Sequence, residues 1–64
     1  MPTRIVFLEK DLTLEVAEEL EDVRKLIELQ ARSGRLLNLQ RASAGQPVWI
    51  NPSAVAYLEG LAGD

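Results

Sequence analysis

One stretch of the sequence, from about Glu18 to Ser33, has the residue spacing of an amphipathic helix, and the rest of the chain is made of short strand-like segments. Apolar residues recur along this stretch at intervals of three and four, the period of an α-helix. They are Leu20, Val23, Ile27 and Ala31, with Leu26 on the flank. Gly34 follows, the residue type that most readily ends a helix in the left-handed conformation. A chain of 64 residues therefore has one helix with which to cover its sheet.

The other side of this helix is charged. Glu21 with Lys25 and Glu28 with Arg32 stand four residues apart, in the order that favours ion pairing along a helix. Leu29 lies more than about 100° from the centre of the apolar stripe, so we expect it to face away from the sheet of its own subunit.

The residues before the helix predict two strands. Thr3 to Glu9 is rich in β-branched and aromatic residues and is apolar on both faces, which is typical of a strand covered on both sides. A turn at Lys10-Asp11 leads into residues 12 to 17, where apolar and polar residues alternate. A longer helix capped by Asp11 is the competing interpretation, but the alternation favours the strand.

The residues after the helix predict two or three more strands. Arg35 to Arg41 places Leu37 and Leu39 on one face, and a loop of hairpin length leads to Pro47–Ile50. Asn51-Pro52-Ser53 predicts a turn. The next segment, residues 53 to 59, fits either a short helix that starts at Pro52 or a final strand. We expect residues 3–59 to form the ordered core of a single domain, with a frayed tail at 60–64.

The second half of the chain resembles a sequence pattern in small uncharacterised actinobacterial proteins. The likeness runs through G-R-L-L-N-L-Q-R and P-V-W-I-N-P-S-A-V-A-Y-L-E, which are residues 34–41 and 47–59. The matching positions are Gly34, Leu37, Leu39, Val48, Ile50, Pro52, Val55, Ala56, Tyr57 and Glu59. The resemblance implies the element order ββαβββ and a strand after Pro52, but it implies no activity. The predicted fold is α+β, with a single helix packed on a mostly antiparallel sheet of four or five strands.

The composition excludes several kinds of site. The chain contains no cysteine and no histidine, so disulfides and thiolate or imidazole metal sites are excluded. Of the usual aids to the stability of so small a domain, oligomerisation is the one left. The net charge of −3 works against nucleic acid and anionic membranes. No apolar run approaches a membrane span or a signal peptide, and we expect a cytoplasmic protein.

The sequence does not predict an enzyme or a cofactor. Without histidine, the usual activation of a serine or lysine nucleophile is absent, and the three serines fall in predicted turns. Glu18, Glu21 and Asp22 could together contact a hard cation, but ions of this kind need more oxygen ligands, held by a loop. We interpret these acids as first-turn residues that complement the helix dipole.

The expected function is a small non-enzymatic interaction module that self-associates through a sheet face or edge. If Val48 and Ile50 face the helix, Trp49 points to the opposite face of the sheet, and such an apolar patch is typical of an interface. The residues expected there are Trp49, Tyr57, Leu36, Val6, Leu8 and Leu29. The competing interpretation is that the sheet curls and the tail folds over these residues, so that they belong to the core of their own chain.

Two other function classes stay open. One is binding or regulation of nucleic acid through a basic surface repeated by oligomerisation, with Arg24, Arg32, Arg35 and Arg41 as contacts. The alternating acidic residues make this less favoured. The other is an inhibitor that sequesters a partner protein or a ligand.

Overall fold

The computed structural model describes residues 1–61 and contains one α-helix and five β-strands in the order ββαβββ. The elements are β1 (Thr3–Phe7), β2 (Thr13–Val16), α1 (Leu20–Gln30), β3 (Leu37–Gln40), β4 (Pro47–Ile50) and β5 (Val55–Gly60). The predicted α+β class, with one helix packed on antiparallel strands, is confirmed. Of the predicted frayed tail, Gly60 ends β5 and the Leu61 N–H donates to the Pro2 carbonyl at 2.9 Å, while residues 62–64 lie outside the described part of the chain.

The five strands form two antiparallel sheets. The larger sheet has the order β2–β1–β5 and the smaller consists of β3 and β4. A single bridge joins the sheets, between Val16 and Arg41. Two hydrogen bonds flank this bridge, from the Ala17 N–H to the Gln40 carbonyl at 2.8 Å and from the Ala42 N–H to the Glu15 carbonyl at 2.9 Å. The strands thus follow one another as β5–β1–β2–β3–β4, with a break in the ladder between β2 and β3.

Glu18 completes the junction between the sheets with its side chain. A regular antiparallel ladder would next bond the Gln40 N–H to the backbone of Ala17. Instead, this N–H donates to both carboxylate oxygens of Glu18, at 3.1 and 3.2 Å. The buried Thr3 hydroxyl donates to the Glu18 carbonyl at 2.8 Å. Glu18 therefore lies in the segment between β2 and α1, and its predicted place in the first turn of the helix is wrong.

The helix is shorter than predicted at both ends. It begins at Leu20 because Ala17 and Glu18 are held by the junction, and it ends at Gln30. Residues 31–34 form a turn in which the Gly34 N–H donates to the Gln30 carbonyl at 3.1 Å, with Gly34 at φ +70°. The predicted left-handed conformation of Gly34 is thus confirmed, but the helix ends before it, with Ala31 as its last capping residue. Ala31, expected on the buried stripe, is exposed in this turn.

Both sheets and the helix contribute to one core. Its buried apolar residues are Ile5, Val16, Val23, Leu37, Leu39 and Ile50. Each such side chain stabilises the fold by about 1.5–3 kcal/mol relative to leaving it in water. The alternation of buried and exposed residues along β3, with Leu37 and Leu39 inward, follows the sequence pattern.

The segment after β4 combines the two structures that the sequence left open. Pro52–Ala54 forms one turn of 3₁₀-helix, and the Asn51 side chain caps it by accepting a hydrogen bond from the Ser53 N–H at 3.0 Å. β5 then starts at Val55, so most of residues 53–59 is strand, in agreement with the resemblance. A bulge interrupts its pairing with β1, because Phe7 pairs with Val55 and Val6 with Tyr57, which leaves Ala56 as the extra residue.

We predict that Glu18→Ala lowers the free energy of unfolding by about 1 kcal/mol, the usual contribution of one hydrogen bond. Glu18→Gln should retain most of this stability because its amide oxygen still accepts from the Gln40 N–H. Urea denaturation of the variants measures the difference. Asp22→Ala removes an exposed acid that lies outside the junction and serves as the control, expected within about 0.5 kcal/mol of the parent protein. Equal stability of the Glu18→Ala and Asp22→Ala variants would show that the carboxylate does not support the junction.

Candidate protein-interaction surface

In the described chain, more large apolar side chains are exposed than hydrophobic residues are fully buried. Six hydrophobic residues are buried, whereas eight large ones are exposed. The exposed ones are Met1, Leu8, Leu12, Leu20, Leu29, Leu36, Trp49 and Tyr57. Single exposed apolar residues are common on soluble proteins. Their arrangement on the two sheets is therefore what can indicate a binding surface.

The outer side of the two-stranded sheet is an uncharged surface centred on Trp49. Val48 and Ile50 pack toward the core, so Trp49 points outward and is 62% exposed. Trp49 lies opposite Asn38 of β3, and Pro47 lies opposite Gln40. Leu36 shares this side by the alternation of the strand and is 54% exposed. We call this surface the Trp49 face; its residues are Leu36, Asn38, Gln40, Pro47 and Trp49.

The outer side of the three-stranded sheet carries a second and smaller apolar pair. Val6 lies directly opposite Tyr57 on β5 and opposite Thr13 on β2. Tyr57 is 54% exposed. The next row of this side is charged, since the Arg4 guanidinium lies 3.2 Å from a Glu15 carboxylate oxygen and 3.4 Å from one of Glu59. These three residues are themselves cross-strand neighbours, which places the charges within reach of one another.

The six predicted interface residues do not share one sheet face. Leu36 and Trp49 lie on the smaller sheet, and Val6 and Tyr57 on the larger one, because the strands divide between two sheets. Leu8 follows β1, where its N–H donates to the Ala54 carbonyl at 2.8 Å, and its side chain is exposed. Leu29 is 72% exposed on the helix, as its angular position predicts.

The four arginines proposed to contact nucleic acid are not equally available. Arg24 donates from Nε and Nη2 to Glu21 Oε1, at 3.1 and 2.8 Å, and from Nη1 to Glu28 Oε2 at 2.8 Å. The expected pairs of Glu21 with Lys25 and Glu28 with Arg32 are therefore wrong. Arg24 binds both carboxylates because it lies three residues after Glu21 and four residues before Glu28. The remaining three are exposed outside the helix, namely Arg32, Arg35 and Arg41.

The ion pairs of Arg24 change the pKa of Glu21 and of Arg24 itself. Its hydrogen bond, and secondarily its charge, lower the pKa of Glu21 below its ordinary value. The hydrogen bonds from Arg24 to Glu21 and Glu28 raise the pKa of the Arg24 guanidinium. Arg24 thus stays charged but is already engaged by two carboxylates. A phosphate group would have to compete with them.

Residues 1–61 contain no cavity of the kind that encloses a small molecule and no group of three acidic side chains placed to hold a metal ion. No helix in this part of the chain is long and apolar enough to cross a membrane. Comparison with protein-family models and with curated proteins finds no match to the chain. On the Trp49 face, the described surface offers contact through apolar and uncharged polar side chains.

We predict that Arg24→Gln raises the pKa of Glu21 toward its ordinary value. Because the folded-state pKa is depressed, the contribution of this pair to stability is present above the unfolded pKa of about 4.3 and disappears as the pH falls through the folded value. NMR titration of the Glu21 side-chain carboxyl measures the shift. Lys25→Gln is the matched control and should have a smaller effect, since Lys25 makes the smallest contribution to the lowering. Equal effects of the two substitutions would contradict the role of Arg24.

Proposed function

We propose that the protein is a small non-enzymatic interaction module that self-associates through the outer surface of its sheets. The observation that supports the proposal is that eight large apolar side chains are exposed within residues 1–61, whereas six hydrophobic residues are fully buried there. A domain of this size buries only about 60% of the surface of its unfolded chain. Contact with a second copy would cover apolar surface that the chain cannot cover by itself.

The Trp49 face is the part of this surface best suited to contact between copies. Tryptophan is enriched among the residues that contribute most to binding energy, because one side chain buries a large area at small entropic cost. Each copy has a net charge of −3, so two copies carry like net charge. The Trp49 face contains no charged residue, and two such faces can meet without opposing like charges.

The other function classes have weaker support. Nucleic-acid binding would need a basic surface, yet Arg24 is engaged by Glu21 and Glu28 and the chain is acidic overall. Sequestration of a partner protein would use the same exposed surface, and it becomes the favoured function if the isolated protein is monomeric. We also propose that the protein is cytoplasmic.

We predict that Trp49→Ala shifts the protein toward smaller species by weakening association about thirtyfold or more. This factor corresponds to the loss of about 2 kcal/mol that is common for a central interface residue. Sedimentation velocity over a series of protein concentrations measures the shift. Leu12→Ala is the control, because Leu12 is 47% exposed but lies in the turn between β1 and β2. A monomeric parent protein at all concentrations, or equal effects of the two substitutions, would contradict the assignment.

Trp49 also reports on the contact directly, because it is the only tryptophan in the chain. Burial against a second copy should move its fluorescence emission to shorter wavelength as the protein concentration rises. The same titration with Leu29→Ala tests whether the helix surface takes part. If it does not, the concentration dependence should match that of the parent protein.

A further inference from the structure

We infer that the free edge of β5 pairs with β5 of a second copy, in antiparallel orientation about a two-fold axis at Leu58. This contact is additional to the one proposed for the Trp49 face and rests on different observations. It would join two three-stranded sheets into one sheet of six strands. The occupant of the edge is therefore a second copy of the same chain.

The hydrogen bonds of β5 show which backbone groups are free. Leu61 donates to the Pro2 carbonyl beside the pair formed by Thr3 and Gly60. Because the bonds of an antiparallel strand alternate in direction, the backbone groups of Tyr57 and Glu59 point to β1 and those of Leu58 and Gly60 point away. Within residues 1–61, β5 pairs with β1 alone. The outward N–H and C=O groups thus form an open edge.

This edge carries only two of the features that usually protect a strand from pairing with another chain, namely the bulge at Ala56 and the charged Glu59. Edge strands are commonly protected by proline, lysine or a bulge. The opposite outer strand, β4, begins with Pro47 and is followed by Pro52. β5 contains neither proline nor lysine. Its bulge is confined to Ala56, which leaves Tyr57–Gly60 as a regular segment.

Only one register of the pairing satisfies the side chains. With Leu58 opposite Leu58 of the second copy, each Tyr57 lies opposite Glu59 of the other chain. Moving the two-fold axis by one residue toward Gly60, to Glu59, would place the two Glu59 carboxylates opposite each other, which is unfavourable. A shift toward Ala56 would bring the bulged residue opposite Leu58, where regular ladder bonds are needed. The Leu58-centred register keeps the Glu59 carboxylates apart and places the bulged Ala56 opposite Gly60 of the other copy, at the two ends of the contact, so that the central Leu58 pair can form its ladder bonds.

The same register covers apolar surface on both sides of the edge. On the outer side, the half-exposed Tyr57 gains a neighbouring strand while it keeps Val6 beside it. On the inner side, Leu58 is half-buried, and Leu20 packs over Gly60, 3.5 Å from where a Cβ atom at this glycine would lie. Glu59 is already held by Arg4 of its own chain, so pairing leaves no isolated charge at the edge.

Disulfide trapping tests the register because the chain has no cysteine of its own. Tyr57 and Glu59 of the other copy form a pair without direct ladder bonds, with Cα atoms about 4.5 Å apart, within the range of a disulfide. Tyr57→Cys and Glu59→Cys are each prepared in the Trp49→Ala background, which removes the other proposed contact. Under mild oxidation we expect rapid cross-linking of the 1:1 mixture and slow cross-linking of either variant alone.

Each alternative outcome has a distinct meaning. Fastest cross-linking of Glu59→Cys alone, or of Tyr57→Cys alone, would overturn the Leu58-centred register. The absence of specific cross-links in all three samples would overturn the edge contact, while self-association of the protein with Trp49 intact would still support the proposed function. Cross-linking of the mixture, together with a parent protein whose association is unchanged by Trp49→Ala, would support the edge and contradict the Trp49 contact.

A matched pair of charge variants tests the same register without a cross-link. Tyr57→Glu places a carboxylate opposite Glu59 of the other copy, whereas Tyr57→Lys places an ammonium group there. Both remove the same exposed aromatic ring, so only the sign of the new charge differs. In the Trp49→Ala background we expect the dimer of the lysine variant to be about tenfold tighter, since the pair occurs twice. Equal dissociation constants would overturn the register.

Discussion

The junction at Val16 and Glu18 is the interaction on which the rest of the fold depends. A two-stranded hairpin such as β3–β4 is marginally stable by itself in water, and it needs the larger sheet and the helix to cover its apolar side. One backbone bridge, from Val16 to Arg41, and the hydrogen bond from the Gln40 N–H to the Glu18 carboxylate hold the two sheets together. The junction also sets the first residue of the helix, because the segment that precedes Leu20 is occupied in joining the sheets.

The division into two sheets determines what the surface offers. A single flat sheet would place its uncovered apolar residues on one face, whereas the observed arrangement separates Trp49 and Leu36 from Val6 and Tyr57. Within residues 1–61, six hydrophobic residues are fully buried and eight large ones are exposed. Both proposed contacts follow from this arrangement: the Trp49 face belongs to the smaller sheet, and the open edge is the outer strand of the larger one. They lie at different ends of the strand order β5–β1–β2–β3–β4.

Features that depend on nearby residues could be predicted from the sequence. The buried position of Val23, the left-handed Gly34 and the inward Leu37 and Leu39 all follow from helix or strand periodicity and from glycine conformation. The outward direction of Trp49 follows in the same way from its neighbours on β4. The ion pairs of Arg24 were missed although their spacing was visible, because several pairings were open to the same acids and only side-chain geometry chooses among them.

The periodicity of the sequence determined the helix, the first strands and the α+β class, because these depend on short-range patterns, while the strand after Pro52 was implied by the resemblance. Only the tertiary structure decided that the strands form two sheets, that Glu18 joins them, and that β5 is an open edge. The physical reason is distance along the chain: Glu18 and Gln40 are 22 residues apart. Their hydrogen bond forms only because core packing brings both groups together, so a local sequence pattern cannot predict it.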